Sequence, residues 1–103
     1  MQIKKEEGYK ATITPESRID ITNSQDLKED LLAIYEEGYE EIIIDFTNVD
    51  SIDSSGLGKL LLFHKKLKER DGKLRIINVS SDYVKKMFKM IHLNKVIDIE
   101  GLS

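Results

Sequence analysis

Residues 53–58 read Asp-Ser-Ser-Gly-Leu-Gly, an acid and two hydroxyls set against two glycines. A serine in such a setting can attack an electrophile, cap a helix, help hold an anion or accept a phosphate, and its neighbours decide among these. Attack needs a base and an orienting acid. The chain has two histidines, His64 and His92, and helical spacing assigns His64 to the stripe expected to face the core. The nucleophile-elbow pattern G-x-S-x-G does not occur. A phosphate loop of the G-x-x-x-x-G-K-[ST] type also fails, because Gly56 and Gly58 are followed by Lys59 and Leu60 at the wrong spacing. Asp45, Asp50 and Asp53 are oxygen donors without calcium-loop spacing, and the absence of cysteine removes disulfides, thiol nucleophiles and the common structural zinc sites. No cofactor and no catalytic activity are expected. What survives is a serine at a helix amino terminus, where unpaired N–H groups and a partial positive charge favour a cap or an anion.

The elements around this stretch say where it sits. Apolar residues alternate at Tyr9, Ala11 and Ile13, predicting a strand that Pro15 ends, and "SRIDI" predicts a short second strand. Leu27, Leu31, Ile34 and Tyr35 follow at helical spacing, with Thr22, Asn23 or Ser24 as the cap and Gly38 as the stop. Ile42, Ile43 and Ile44 form a continuous apolar run, typical of a central strand covered on both faces. A helix beginning near Ser54 or Ser55, the strand "KLRIINV", a helix bearing Val84, Met87, Phe88 and Ile91, and the strand "KVIDI" complete the order β-β-α-β-α-β-α-β. Strands alternating with single helices imply right-handed parallel crossovers. The expected fold is a small α/β domain, a mixed and mostly parallel sheet of about five strands with about three helices. Residues 53–58 then lie at the carboxyl end of a central strand, where open α/β sheets place their ligands.

A chain of 103 residues without an internal repeat or linker-like segment suits one domain spanning 1–103. With a formal charge of −3, no nucleic-acid partner is expected, and the polar start "MQIKKEEGYK" predicts neither a signal peptide nor a membrane anchor. The protein is therefore expected in the cytoplasm, without a membrane partner.

On the helix after Asp53, about 100° per residue brings Leu57, Leu60, Leu61, His64 and Leu67 onto one stripe, assigned to the core. Ser55, Gly58 and Leu62 line up opposite, with Ser54 near them and Lys59, Lys65 and Lys66 around. Small residues, one water-facing leucine and a basic rim describe a docking surface for another protein.

Residues 42–80, "IIIDFTNVDSIDSSGLGKLLLFHKKLKERDGKLRIINVS", resemble the central part of the STAS domain of bacterial anti-sigma factor antagonists, and the strand followed by D-S-S-G-L-G is the most specific element. The resemblance extends from "YKATIT" to "KMIHLNKVIDIE". It implies a cycle in which the unmodified antagonist binds an anti-sigma factor, itself a serine protein kinase, and so frees a sigma factor. The kinase phosphorylates the antagonist and is released, and a metal-dependent serine phosphatase restores the active form. Carried over by position, Ser54 is the phosphorylated residue, Asp53 shapes its turn and Asp20 contributes to partner contact, within a surface of Asp20, Asp53, Ser54, Ser55, Gly56, Gly58 and Leu62. Where family members often have a glycine shortly before that first aspartate, this chain has Ser17 and Arg18.

Two other readings share the fold. One is a STAS-like module that bridges proteins in a signalling or transporter complex, with Ser54 only a cap. The other is a receiver-like phospho-relay domain with Asp45 as acceptor, although such a domain needs an early acidic pair for Mg²⁺ and "TITPES" supplies only Glu16.

Overall fold

Ile42, Ile43 and Ile44 lie at the centre of a five-stranded sheet in a computed structural model that describes residues 2–6 and 9–102. The strands are β1 (Gln2–Glu6), β2 (Lys10–Thr14), β3 (Ser17–Ile19), β4 (Glu41–Asp45), β5 (Val49–Ile52), β6 (Lys73–Ile77) and β7 (Asp98–Ile99). Helices α1 (Ser24–Glu36), α2 (Ser54–Lys68) and α3 (Asp82–Met90) connect them, with a 3-10 turn at Leu93–Lys95. The sheet order is β1-β2-β4-β6-β7; β1 runs antiparallel to β2 and every other neighbour is parallel. Strands β3 and β5 form a separate parallel ribbon. The expected fold class holds.

Strand register shows which face is buried. Ala11, Ile42 and Leu74 lie abreast, as do Ile13, Ile44, Ile76 and Ile99. These residues share one apolar cluster with Leu27, Leu31 and Ile34 of α1, Leu60, Phe63 and Leu67 of α2, and Val84 and Phe88 of α3. Ile43 points the other way, between Thr12 and Arg75, and stays outside that cluster while only 4% exposed. The isoleucine run is thus buried on both sides, by helices on one and by its neighbours' side chains on the other.

Three local expectations change. Strand β1 was not anticipated: its residues are charged or exposed, and it is held by its antiparallel backbone ladder to β2 and by an ion pair of 2.8 Å between Lys5 Nζ and Glu37 Oε1. Edge strands of this kind lack the buried face that makes a strand visible in sequence, and charge protects them from pairing with another chain. Strand β5 was expected as a turn because Asn, Asp and Ser dominate it, yet Val49 and Ile52 are buried and pair it to β3. Tyr9, expected to point inward, sits exposed in the turn before β2, where its carbonyl accepts the N–H groups of Glu40 and Glu41.

Helix α2 is rotated from its expected setting. Gly56, Leu60, Phe63 and Leu67 face the core, Leu57 and His64 are half-buried, and Leu61 is 40% exposed. Phe63 fills the centre, edge-on to Tyr35 of α1 with ring centroids 6.4 Å apart. Burial, then the nearby charge of Lys68, lowers the His64 pKa below its usual 6.5. Leu62 is half-buried against the core and does not face water as expected. Gly56 belongs to the inner face, where the first turn of α2 approaches the β3–β5 ribbon so closely that a Cβ would lie 2.9 Å from the Ile19 carbonyl oxygen.

Candidate functional site: the start of helix α2

Where β3 and β5 end, one carboxylate ties two chain segments together. Asp53 is the N-cap of α2; its Oδ1 accepts the Gly56 N–H at 3.0 Å, and its Oδ2 accepts the Ile21 N–H at 3.2 Å. Its own N–H donates to the Ile19 carbonyl at 3.0 Å. The loop after β3 is thereby held beside the first turn of α2. Asp53→Ala should cost about 1–2 kcal/mol of stability in denaturant unfolding, the upper part of the capping range, because two backbone donors lose their partner. Asp53→Asn, which keeps acceptor geometry at Oδ1, should recover part of that loss.

The loop has its own scaffold. Asp20 accepts the Thr22 N–H at 2.9 Å and the Thr22 hydroxyl, and lies 2.6 Å from Arg18 Nε. The Thr22 hydroxyl bond is the largest influence holding the Asp20 carboxyl below its usual 3.8. A lowered folded-state value means that its contribution is complete at neutral pH and is lost only as pH falls through that lowered value. Asn23 is the N-cap of α1 by position, but its side chain serves this loop: Oδ1 accepts the Asp20 N–H at 2.8 Å and Nδ2 donates to the Arg18 carbonyl at 2.6 Å. Ser17 has φ +58 beside a bulge in the β3–β5 pairing, a left-handed conformation that glycine adopts without penalty. The backbone at this departure from the family pattern therefore keeps a shape suited to glycine while carrying a side chain.

The two serines differ. Ser54, the first residue of α2, is exposed. Ser55 is half-buried, its Oγ 2.8 Å from that of Ser24, the buried polar residue at the start of α1. Ser24 escaped the sequence reading except as a possible cap; nothing in its spacing marks a hydroxyl pair that closes only through the α1–α2 contact. Ile21, 77% exposed on the loop that Asp53 holds, was also missed.

Of the residues expected on the partner surface, Asp20, Asp53, Ser54, Ser55 and Gly58 gather around this helix start or its first turns. Gly56 is a correction: it is buried, and a Cβ there would lie 2.4 Å from Ile19 Cγ2 and 2.9 Å from the Ile19 carbonyl oxygen, so it serves packing. Leu62 is the second correction, displaced from the exposed surface by the rotation of α2. Gly58 is exposed, with nothing within 4 Å of a Cβ built upon it. Asp45, the last residue of β4, accepts the Thr47 N–H at 2.9 Å and a hydrogen from Asn78 Nδ2 at 3.2 Å. Among the described residues, no group of three or more acids or histidines is placed to hold a metal, and no helix is long and apolar enough to cross a membrane.

Comparison with known proteins completes the picture. An anti-sigma-B factor antagonist of Bacillus subtilis is 31% identical over 85 residues, which cover 82% of this chain and 76% of that protein. An anti-sigma factor antagonist from Mycobacterium paratuberculosis superposes with a TM-score of 0.80 at 16% identity, covering 97% of this chain and 83% of that one. The Bacillus cell fate determinant SpoIIAA in its phosphorylated form superposes with a TM-score of 0.73 at 21% identity, covering 95% and 88%. At such identities the two structures show a shared fold. The STAS domain family matches residues 1–101, nearly the whole chain, in agreement with the sheet order and the helix start described above. The chain therefore belongs to the STAS domain family.

Proposed function

We propose that this chain is an anti-sigma factor antagonist: its unphosphorylated form binds an anti-sigma factor with serine kinase activity, so releasing a sigma factor, and phosphorylation of Ser54 ends that binding until a serine phosphatase removes the phosphate. In the modification step the Ser54 Oγ attacks the γ-phosphorus of ATP held by the kinase, the bond to the β-phosphate oxygen breaks, ADP leaves, and the hydroxyl proton passes to a base of the kinase. The observation that carries the reading is the contrast between the serines: Ser54 is exposed at a helix start, while Ser55 is tied to Ser24. The names of the similar proteins support the partner class, and the phosphorylated form of one of them supports the switch.

Site mapping by tandem mass spectrometry of the protein from its native cell tests this. An acid-stable phosphate on Ser54 is expected; phosphate on Asp45, or none under any growth condition, would refute the switch, and the latter would leave a bridging module. Gly58 offers a second test. A helical glycine in open space costs roughly 0.5–1 kcal/mol relative to alanine, so Gly58→Ala should raise stability by about that amount. If a partner seats against α2 there, the same variant should weaken binding to the anti-sigma factor.

A further inference from the structure

The net charge of −3 conceals a segregation: residues 1–53 carry fourteen acids against five Lys and Arg, whereas 82–96 carry Lys85, Lys86, Lys89 and Lys95 against one acid, Asp82. None of these four lysines takes part in an ion pair among the described residues. The same stretch holds four of the eight large apolar side chains exposed among the described residues: Tyr83, Met90, Ile91 and Val96. Charge of one sign and uncovered apolar surface thus coincide at α3 and the 3-10 turn on which it packs. The acids nearby are accounted for. Asp82 lies in the first turn of α3, where the helix amino terminus favours it, and Asp98 and Glu100 pair with Lys73 and Arg75. Val96 lines a cavity with Asp71, Asp98, Lys68 and Lys73, and so belongs to a surface of mixed charge.

The sequence of α3 sets its outward face. At about 100° per residue, Val84 and Phe88 point to the core and Lys86 stands opposite them. Tyr83 and Met90 lie on one shoulder of Lys86 and Lys89 on the other, while Met87, between Tyr83 and the core side, is half-buried. Tyr83 is 61% exposed and Met90 75%. The two are separated by about 10 Å along the helix axis. The helix is held in place without them. Ser81 caps it, its Oγ accepting the Val84 N–H at 3.3 Å and donating to the Asp50 carbonyl at 3.1 Å, and the Phe88 ring packs on Phe46 with centroids 5.7 Å apart. Neither Tyr83 nor Met90 joins the core cluster, so the fold does not require an apolar side chain at either position.

We propose that this face of α3 docks on the surface of an anionic phospholipid bilayer. Tyr83 and Met90 enter the interfacial layer, and Lys86 and Lys89 lie level with the headgroup phosphates, their stems along the apolar edge. A tyrosine suits that boundary, since its ring is apolar and its hydroxyl stays hydrated. Other occupants match only half of the face. Duplex DNA would use the lysines and leave Tyr83 and Met90 in water. A second copy of this chain offers its acidic helix α1, with Asp26, Glu29, Glu36 and Glu37 exposed, but the apolar row of α1, Leu27, Leu31 and Ile34, is already buried in its own core. The side of a helix is convex, and a fluid interface closes around two separated side chains without a matching pocket. Docking of this kind needs no spanning helix and no signal segment, and it does not depend on the Ser54 switch.

The test is co-sedimentation of the full chain with large vesicles of phosphatidylcholine alone and of phosphatidylcholine containing about one-third phosphatidylglycerol. Binding to the anionic vesicles is expected, at least about tenfold tighter than to the neutral ones and weakened by high salt. Tyr83→Ser combined with Met90→Ser, both at exposed positions, should keep the wild-type unfolding midpoint and lower the affinity about tenfold at unchanged net charge. Lys86→Glu with Lys89→Glu should abolish the preference for anionic lipid. The same change at Lys65 and Lys68 of α2 should have a smaller effect, and Ser54→Ala none. Absence of binding to anionic vesicles at millimolar lipid, equal binding to both kinds of vesicle, or full binding by the Tyr83–Met90 double variant would overturn the proposal. So would equal losses from the α2 and α3 lysine pairs, self-association that accounts for the sedimented protein, or tighter binding to duplex DNA through the same lysines.

Discussion

The Ser54→Asp protein should bind its anti-sigma factor about a hundredfold more weakly than the Ser54→Ala protein, a difference of about 2.7 kcal/mol. The side chain is exposed at the first position of α2, so neither substitution disturbs packing, and both variants should unfold near the wild-type midpoint. In the free protein a negative charge there is favoured by the helix amino terminus. In the proposed complex that charge would be desolvated at the contact, beside Asp53 and the Asp20 loop that Asp53 holds. The charge thus lowers the free state and raises the bound one. Isothermal titration against the anti-sigma factor measures the difference. Equal affinities would show that charge at Ser54 is not the switch. Ser55→Ala, by contrast, should leave Ser54 open to the proposed kinase, since the Ser55 hydroxyl serves the contact with Ser24.

Adding one methyl group at Gly56 should have the largest effect on the fold itself. A Cβ at that position meets Ile19 Cγ2 at 2.4 Å, the Ile19 carbonyl at 2.9 Å and Ile52 Cγ1 at 3.0 Å. The Ile19 side chain is only 1% exposed and its carbonyl accepts the Asp53 N–H, so neither contact has room to withdraw. Overpacking of this kind costs about 1–3 kcal/mol, set against a helix-propensity gain of about 1 kcal/mol for alanine. A net loss of up to about 2 kcal/mol is expected for Gly56→Ala, and loss of a cooperative transition for Gly56→Val. Urea unfolding followed by circular dichroism measures both. Gly58→Ala is the internal control on the same helix, with the opposite sign.

These glycines show why the sequence was readable in part. Periodicity located α1, α2, α3 and the strands at β4 and β6, because each buries one face or one run of apolar residues. It did not locate β1, which buries almost nothing, nor β5, whose polar composition hides two inward residues, Val49 and Ile52. The setting of α2 was misjudged by counting leucines, since a glycine and a phenylalanine, Gly56 and Phe63, turned out to face the core. At the site, residue types identified the helix start, and resemblance singled out Ser54 and assigned Asp53 to its turn. The links from Asp53 to Ile21 and from Ser55 to Ser24 join positions 32 and 31 residues apart. Spacing along the chain carries no record of such contacts, which exist only once the β3–β5 ribbon and the α1–α2 contact have formed.

Strand β1 has a kinetic consequence. It joins the molecule through one ladder to β2 and the Lys5–Glu37 pair, and four of its five residues are exposed. Detaching it uncovers little apolar surface, so its amides should exchange with solvent by a local opening far below the free energy of global unfolding, while those of β4 exchange only with the whole domain. Each such opening uncovers the backbone of β2, and the hydrogen-bonding edge of the sheet then passes for a moment from a charged strand to one whose alternate residues, Ala11 and Ile13, are core.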